Sequence, residues 1–62
     1  MNLKPFVNNK DLYGDFLEYL DDLIELKRKA LEQATDPVII YQTQGAIAAL
    51  RKLKTLREQV NG

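Results

Sequence analysis

Two long amphipathic helical patterns, Lys10 to Ala34 and Pro37 to Val60, leave a 62-residue chain room for little except a helical hairpin. They meet at Ala34-Thr35-Asp36-Pro37. Thr35 or Asp36 can cap the first amides of a new helix, and Pro37 suits the first helical position, where a missing N–H leaves no bond unmade. So short a connection makes the two helices antiparallel neighbours. Two starts are open for the first helix: Asn8 or Asn9 as cap, or Asp15 as cap with Glu18 in the capping-box position. The earlier start is favoured because Leu12 continues the apolar face, although Gly14 then sits in the helix interior at about 1 kcal/mol.

At about 100° per residue, Leu12, Phe16, Tyr19, Leu23, Leu26, Ala30 and Ala34 form one stripe of the first helix. Tyr13, Leu17, Leu20, Ile24 and Leu31 form a second stripe beside it. A single neighbouring helix covers one such stripe, about the width of a coiled-coil seam, and not both. The second helix has a main face of Ile39, Ala46, Leu50, Leu53, Leu56 and Val60, with Val38 and Ala49 alongside, and a shorter one of Ile40 and Ile47. The main faces are expected to meet within the hairpin. The expected interface with another chain is therefore Tyr13, Leu17, Leu20, Ile24 and Leu31 with Ile40 and Ile47. Gln42 joins them as a polar residue on an apolar face that sets register and oligomeric state. Lys27 and Arg57 also interrupt the apolar faces, and their stems are expected to lie along apolar surface with the charged heads in water.

Size points the same way. A chain this short buries only about 60% of its unfolded surface, and such chains add disulfides, a metal or self-association. With no Cys and no His, self-association is the remaining route, and the expected fold is an all-α antiparallel two-helix hairpin completed into a larger bundle by its own copies, most simply a dimer. Residues 1–8 read as an extended N-terminal arm because Pro5 disfavours helix before it; residues 9–62 read as the hairpin, with helices at about 10–34 and 37–60. Leu3, Phe6 and Val7 make that arm apolar, so it must dock, either on its own bundle or on a neighbour.

The chemistry-bearing residues exclude more than they propose. Six acids from Asp11 to Glu25 lie along a solvated helix face without calcium-loop spacing, so neither a metal site nor acid–base catalysis is expected. Arg51, Lys52, Lys54 and Arg57 fall beside those acids in the antiparallel register. Their expected partners are intramolecular, and nucleic-acid binding is not expected. Nine basic and nine acidic residues give zero net charge, no apolar run approaches the ~20 residues that cross a bilayer, and the first residues lack a signal-peptide layout. No cofactor, catalytic residue or membrane contact is expected.

The stretch Asp36-Pro37-Val38-Ile39-Ile40-Tyr41-Gln42-Thr43-Gln44-Gly45-Ala46-Ile47-Ala48-Ala49-Leu50-Arg51-Lys52-Leu53 resembles small proteins of the head and connector region of tailed bacteriophages. In these a Asp-Pro start is followed by a Gln-Gly pair, a short aliphatic stretch and Leu-Arg. The resemblance spans about a third of the chain and implies a non-enzymatic structural or assembly component, located in the host cytoplasm or the virion and partnered by itself and another phage or host protein. It carries over no site residue. Size and hairpin shape also resemble the Rop family of plasmid regulators, which implies an alternative: a small regulatory adaptor binding a host protein or RNA as a four-helix dimer.

Overall fold

The computed structural model describes residues 2–62 and is all-α. Four helices follow one another: α1 (Lys4–Val7), α2 (Lys10–Gln33), α3 (Pro37–Leu53) and α4 (Leu56–Asn61). The long α2 and α3 pack antiparallel, and the molecule measures 42 × 19 × 16 Å.

Capping residues place the ends of the long helices. The Asn9 side chain accepts from the Leu12 amide at 3.0 Å, which starts α2 at the earlier of its two candidate caps. Asp36 accepts from the Val38 amide at 2.9 Å, and Pro37 follows in the first turn of α3. Gly14 lies within α2, and a Cβ there would meet nothing within 4 Å, so its lack of a side chain serves no close approach.

The first eight residues depart from the expected extended arm. Met1 lies outside the described residues, but Lys4–Val7 form a short helix with Pro5 in its first turn. Proline disfavours helix before it yet fits the opening turn itself, and the Asn2 side chain accepts from the Lys4 amide at 3.1 Å. This turn docks on its own hairpin, against α2 and α4. Val7 is wholly buried there.

The second long helix is also not continuous to Val60. It breaks at Lys54-Thr55, where the Thr55 hydroxyl donates to the Lys52 carbonyl at 2.7 Å and α4 begins afresh at Leu56. The cause is a side chain from across the hairpin. The Tyr13 hydroxyl donates to the Lys54 carbonyl at 3.1 Å and accepts from the Arg57 amide at 3.0 Å, taking the place of main-chain partners in the helical ladder.

Candidate interaction face

The structure places the residues expected to meet another chain mostly inside the hairpin. Tyr13, Leu20 and Ile47 are buried, and Leu17, Ile24, Leu31 and Ile40 are half-buried beside them. Of the eight expected interface residues, only Gln42 is exposed. Each helix carries two stripes of similar spacing, and on α3 side-chain volume rather than the number of apolar positions decides which goes inside. On α3, the stripe Ile40, Thr43, Ile47, Leu50 and Lys54 carries two isoleucines and a leucine. The stripe Ile39, Gln42, Ala46, Ala49 and Leu53 carries two alanines and an amide. The bulkier stripe fills the seam against Tyr13, Leu17, Leu20 and Ile24.

Part of the stripe expected to form the core stays outside, although Phe16, Leu23 and Ala34 on the first helix and Ala46, Leu50, Leu56 and Val60 on the second are half-buried. Leu12, Tyr19 and Leu26 of α2 are 54%, 61% and 63% exposed, and Ile39 and Leu53 of α3 are 52% and 42% exposed. In both helices each outer position precedes a seam position by one residue: 12 before 13, 19 before 20, 39 before 40, 53 before 54. One residue back is a 100° turn about each helix axis, and because the helices face each other antiparallel, both turns lead to the same side of the hairpin. Leu12, Tyr19, Leu26, Ile39 and Leu53 therefore share one broad face, with Ala46, Ala49 and Gln42 in its α3 half.

The opposite side is mostly polar, with Tyr41, 78% exposed, as its large apolar exception, and it is built from the residues that follow seam positions by one. Asp21 accepts an ion pair from Lys54 at 2.6 Å. A shallow groove there is lined by Arg28, Leu31, Gln44, Ile47, Ala48 and Arg51. Arg28 pairs with Glu25 at 2.6 Å and Glu32 at 2.8 Å along its own helix. The hydrogen bond from Arg28 holds the Glu25 carboxyl below its ordinary value, and the same bond raises the Arg28 guanidinium. Both groups stand in solvent, so the pairing contributes little to stability.

Of the four basic residues expected to pair with the acids of helix 1, Lys54 alone does so among the described ion pairs. Arg57 turns to the arm instead. Its Nε donates to the Val7 carbonyl at 3.0 Å, and its guanidinium lies 5.3 Å from the centre of the Tyr13 ring. Phe6 meets Tyr13 and Phe16 edge-on at 6.0 and 5.2 Å between ring centres, and Leu3, three residues earlier, is half-buried. Asn8 and Asn61 close this end with reciprocal side-chain hydrogen bonds, Asn61 Nδ2 donating to Asn8 Oδ1 at 2.9 Å and Asn8 Nδ2 to Asn61 Oδ1 at 3.4 Å. The arm residues Leu3, Phe6 and Val7 thus serve the chain's own fold.

Among the described residues no acidic group clusters in a way that could hold a metal ion, and no helix is long and apolar enough to cross a membrane. No family model, curated protein or solved structure matches the chain. The outer stripe was present in the sequence as spacings of four and three, from Leu12 through Phe16, Tyr19, Leu23 and Leu26 to Ala30. The same spacing one residue later makes the seam, so the pattern alone did not say which stripe would stay outside.

Proposed function

We propose that this chain is a non-enzymatic helical-hairpin interaction protein that works through the face of Leu12, Tyr19, Leu26, Ile39 and Leu53, as a structural or assembly component of a phage particle. The observation that carries the interaction reading is the exposure of five large apolar side chains on one side of a hairpin whose other side is charged. Monomeric proteins rarely leave contiguous apolar surface of this extent open, and where they do it marks a site of association. The absence of His and Cys from the sequence removes the commonest nucleophiles and general bases, which supports a binding role. The phage setting rests on the resemblance of Asp36 to Leu53 to head and connector proteins.

A second reading, a regulatory adaptor for a host protein or RNA, draws on Arg28 and Arg51 beside the polar groove and on the exposed Lys52. Mass spectrometry of purified particles separates the two. Recovery of the chain in stoichiometric amounts is the expected result, and loss of incorporation in a Tyr19→Asp variant that keeps its helical content ties incorporation to the face. Absence from particles, together with RNA binding that steepens as salt is lowered, would establish the adaptor reading instead.

A further inference from the structure

We infer that the occupant of the apolar face is a second copy of this chain, docked face to face about a two-fold axis parallel to the helices, so that both Ala34-Thr35-Asp36 loops lie at the same end of a four-helix bundle. The inference rests on the interaction reading above and names the partner of that same face.

Area is the first argument. The chain exposes 4879 Å², about 800 Å² more than the surface–mass relation gives for a compact monomer of 7.1 kDa. One partner of a standard interface buries about 800 Å². A copy of the same face therefore accounts for the excess, and closing it gives each helix a second neighbour for its second stripe.

Complementarity of size selects the orientation. The α2 half of the face is bulky, with Leu12, Phe16, Tyr19, Leu23 and Leu26, whereas the α3 half is small at its centre, with Ala46 and Ala49. The antiparallel register, marked by the Asp21–Lys54 ion pair and by Arg28 and Leu31 lining one groove with Gln44 and Ile47, puts Ala46 and Ala49 at about the level of Leu26 and Leu23. With both loops at one end, α2 of each copy lies over α3 of the other at unchanged height, and Leu23 and Leu26 fill the space above Ala49 and Ala46. With loops at opposite ends, α2 would lie over α2 and α3 over α3. Leucine and tyrosine would then hold the copies apart on one side while alanine faced alanine across a gap on the other, and interiors do not tolerate such voids.

Charge agrees with this arrangement. Asp15 and Asp22 flank the α2 half of the face, and Lys52 lies on the outer side of α3 at a height between them. Same-end docking sets Lys52 of each copy beside the two acids of the other, a pairing that steers orientation more than it adds affinity. Gln42 then falls at about the height of Ala30 of the other copy, where its amide penalises shifted registers.

The chain has no cysteine, and Thr35 is exposed in the loop, so Thr35→Cys gives one spin-label position per chain. Sedimentation velocity and electron-spin distance measurement on the labelled full chain test the proposal together. The expected result is a dimer whose labels lie within about 25 Å of each other, because packed helices are about 8–10 Å apart. Adding Leu26→Asp should weaken self-association about tenfold or more with helical content kept, since it would bury an unpaired carboxylate. A dimer with labels separated by a distance close to the 42 Å length of the molecule would overturn the orientation. A dimer indifferent to Leu26→Asp would overturn the face. A monomer at millimolar concentration would overturn the second copy as occupant; the interaction reading would still stand if Tyr19→Asp abolished incorporation into particles, and would fall with it if incorporation were unchanged.

Discussion

The two ends of the hairpin satisfy their side chains in opposite ways. At the arm end, Phe6, Val7, Tyr13, Phe16 and Arg57 enclose one another, and the Tyr13 hydroxyl, the Arg57 guanidinium and the Asn8–Asn61 amides find partners within the chain. At the loop end, Leu26, Val38, Ile39 and Tyr41 stand more than half exposed. The Pro37 and Asp36 cap there orders backbone without covering side chains. The arm makes the difference: a short turn of helix supplies a third layer at one end, and nothing supplies it at the other. A chain of this size thus closes one end with its own arm and leaves to association a face that runs the length of the hairpin, from Leu12 and Leu53 to Leu26 and Ile39.

The largest effect should come from emptying the closed end. Tyr13→Ala removes a buried ring and is expected to destabilise the chain by about 3–5 kcal/mol, comparable to the stability of a domain this small. Circular dichroism should then show a largely unfolded protein at 37 °C. Tyr13→Phe sharpens the point by keeping the ring and deleting the hydroxyl. It leaves the Lys54 carbonyl and the Arg57 amide unpaired and should lower stability by about 1–3 kcal/mol in chemical denaturation. Hydrogen exchange should show the loss concentrated at Lys54 to Arg57, with the amides near Leu26 and Ile39 unaffected.

At the open side, Gln42→Leu should act with the opposite sign. Gln42 is exposed in the single chain yet lies in line with Ile39, Ala46, Ala49 and Leu53. Replacing it by an apolar residue should stabilise the assembly by about 1 kcal/mol and broaden the loop-to-loop distance distribution, because wrong registers are no longer penalised. Unchanged stability and an unchanged distance would remove Gln42 from the interface.

The smallest effect concerns the polar face. Bonding to Arg28 lowers the Glu25 pKa, so its contribution to stability is complete above the ordinary carboxylate value and is lost as pH falls through the lowered one. Glu25→Gln should therefore reduce the melting temperature slightly at neutral pH and not at all at pH 2. A larger loss in acid than at neutrality would contradict the assigned pairing.

The hairpin, its capped junction and the start of α2 at Asn9 were legible because Asn, Asp and Pro act through local bonds that spacing reveals. The arm was misread because Pro5 is compatible with both an extended segment and an opening turn, and only the aromatic pocket of Tyr13 and Phe16 selects the turn. The break at Thr55 was not legible either, since it depends on a hydroxyl 41 residues away in sequence from Lys54. For the interaction face, two stripes one residue apart have the same period, and periodicity carries no information about volume. Ile47 and Ala46 look alike in an apolar pattern. In the packed seam they differ by three carbons, and that difference turned the hairpin's faces.

The dependence of folding on concentration tests the central claim, that the open apolar face of this chain is completed by association, most directly. Thermal melts followed by circular dichroism over a hundredfold dilution should show the midpoint falling as the chain is diluted, since burying the face against another molecule links stability to its concentration. Loop-end amides should lose protection before arm-end amides at the lowest concentration. A midpoint that stays constant across the dilution series, with equal protection at both ends, would contradict the account.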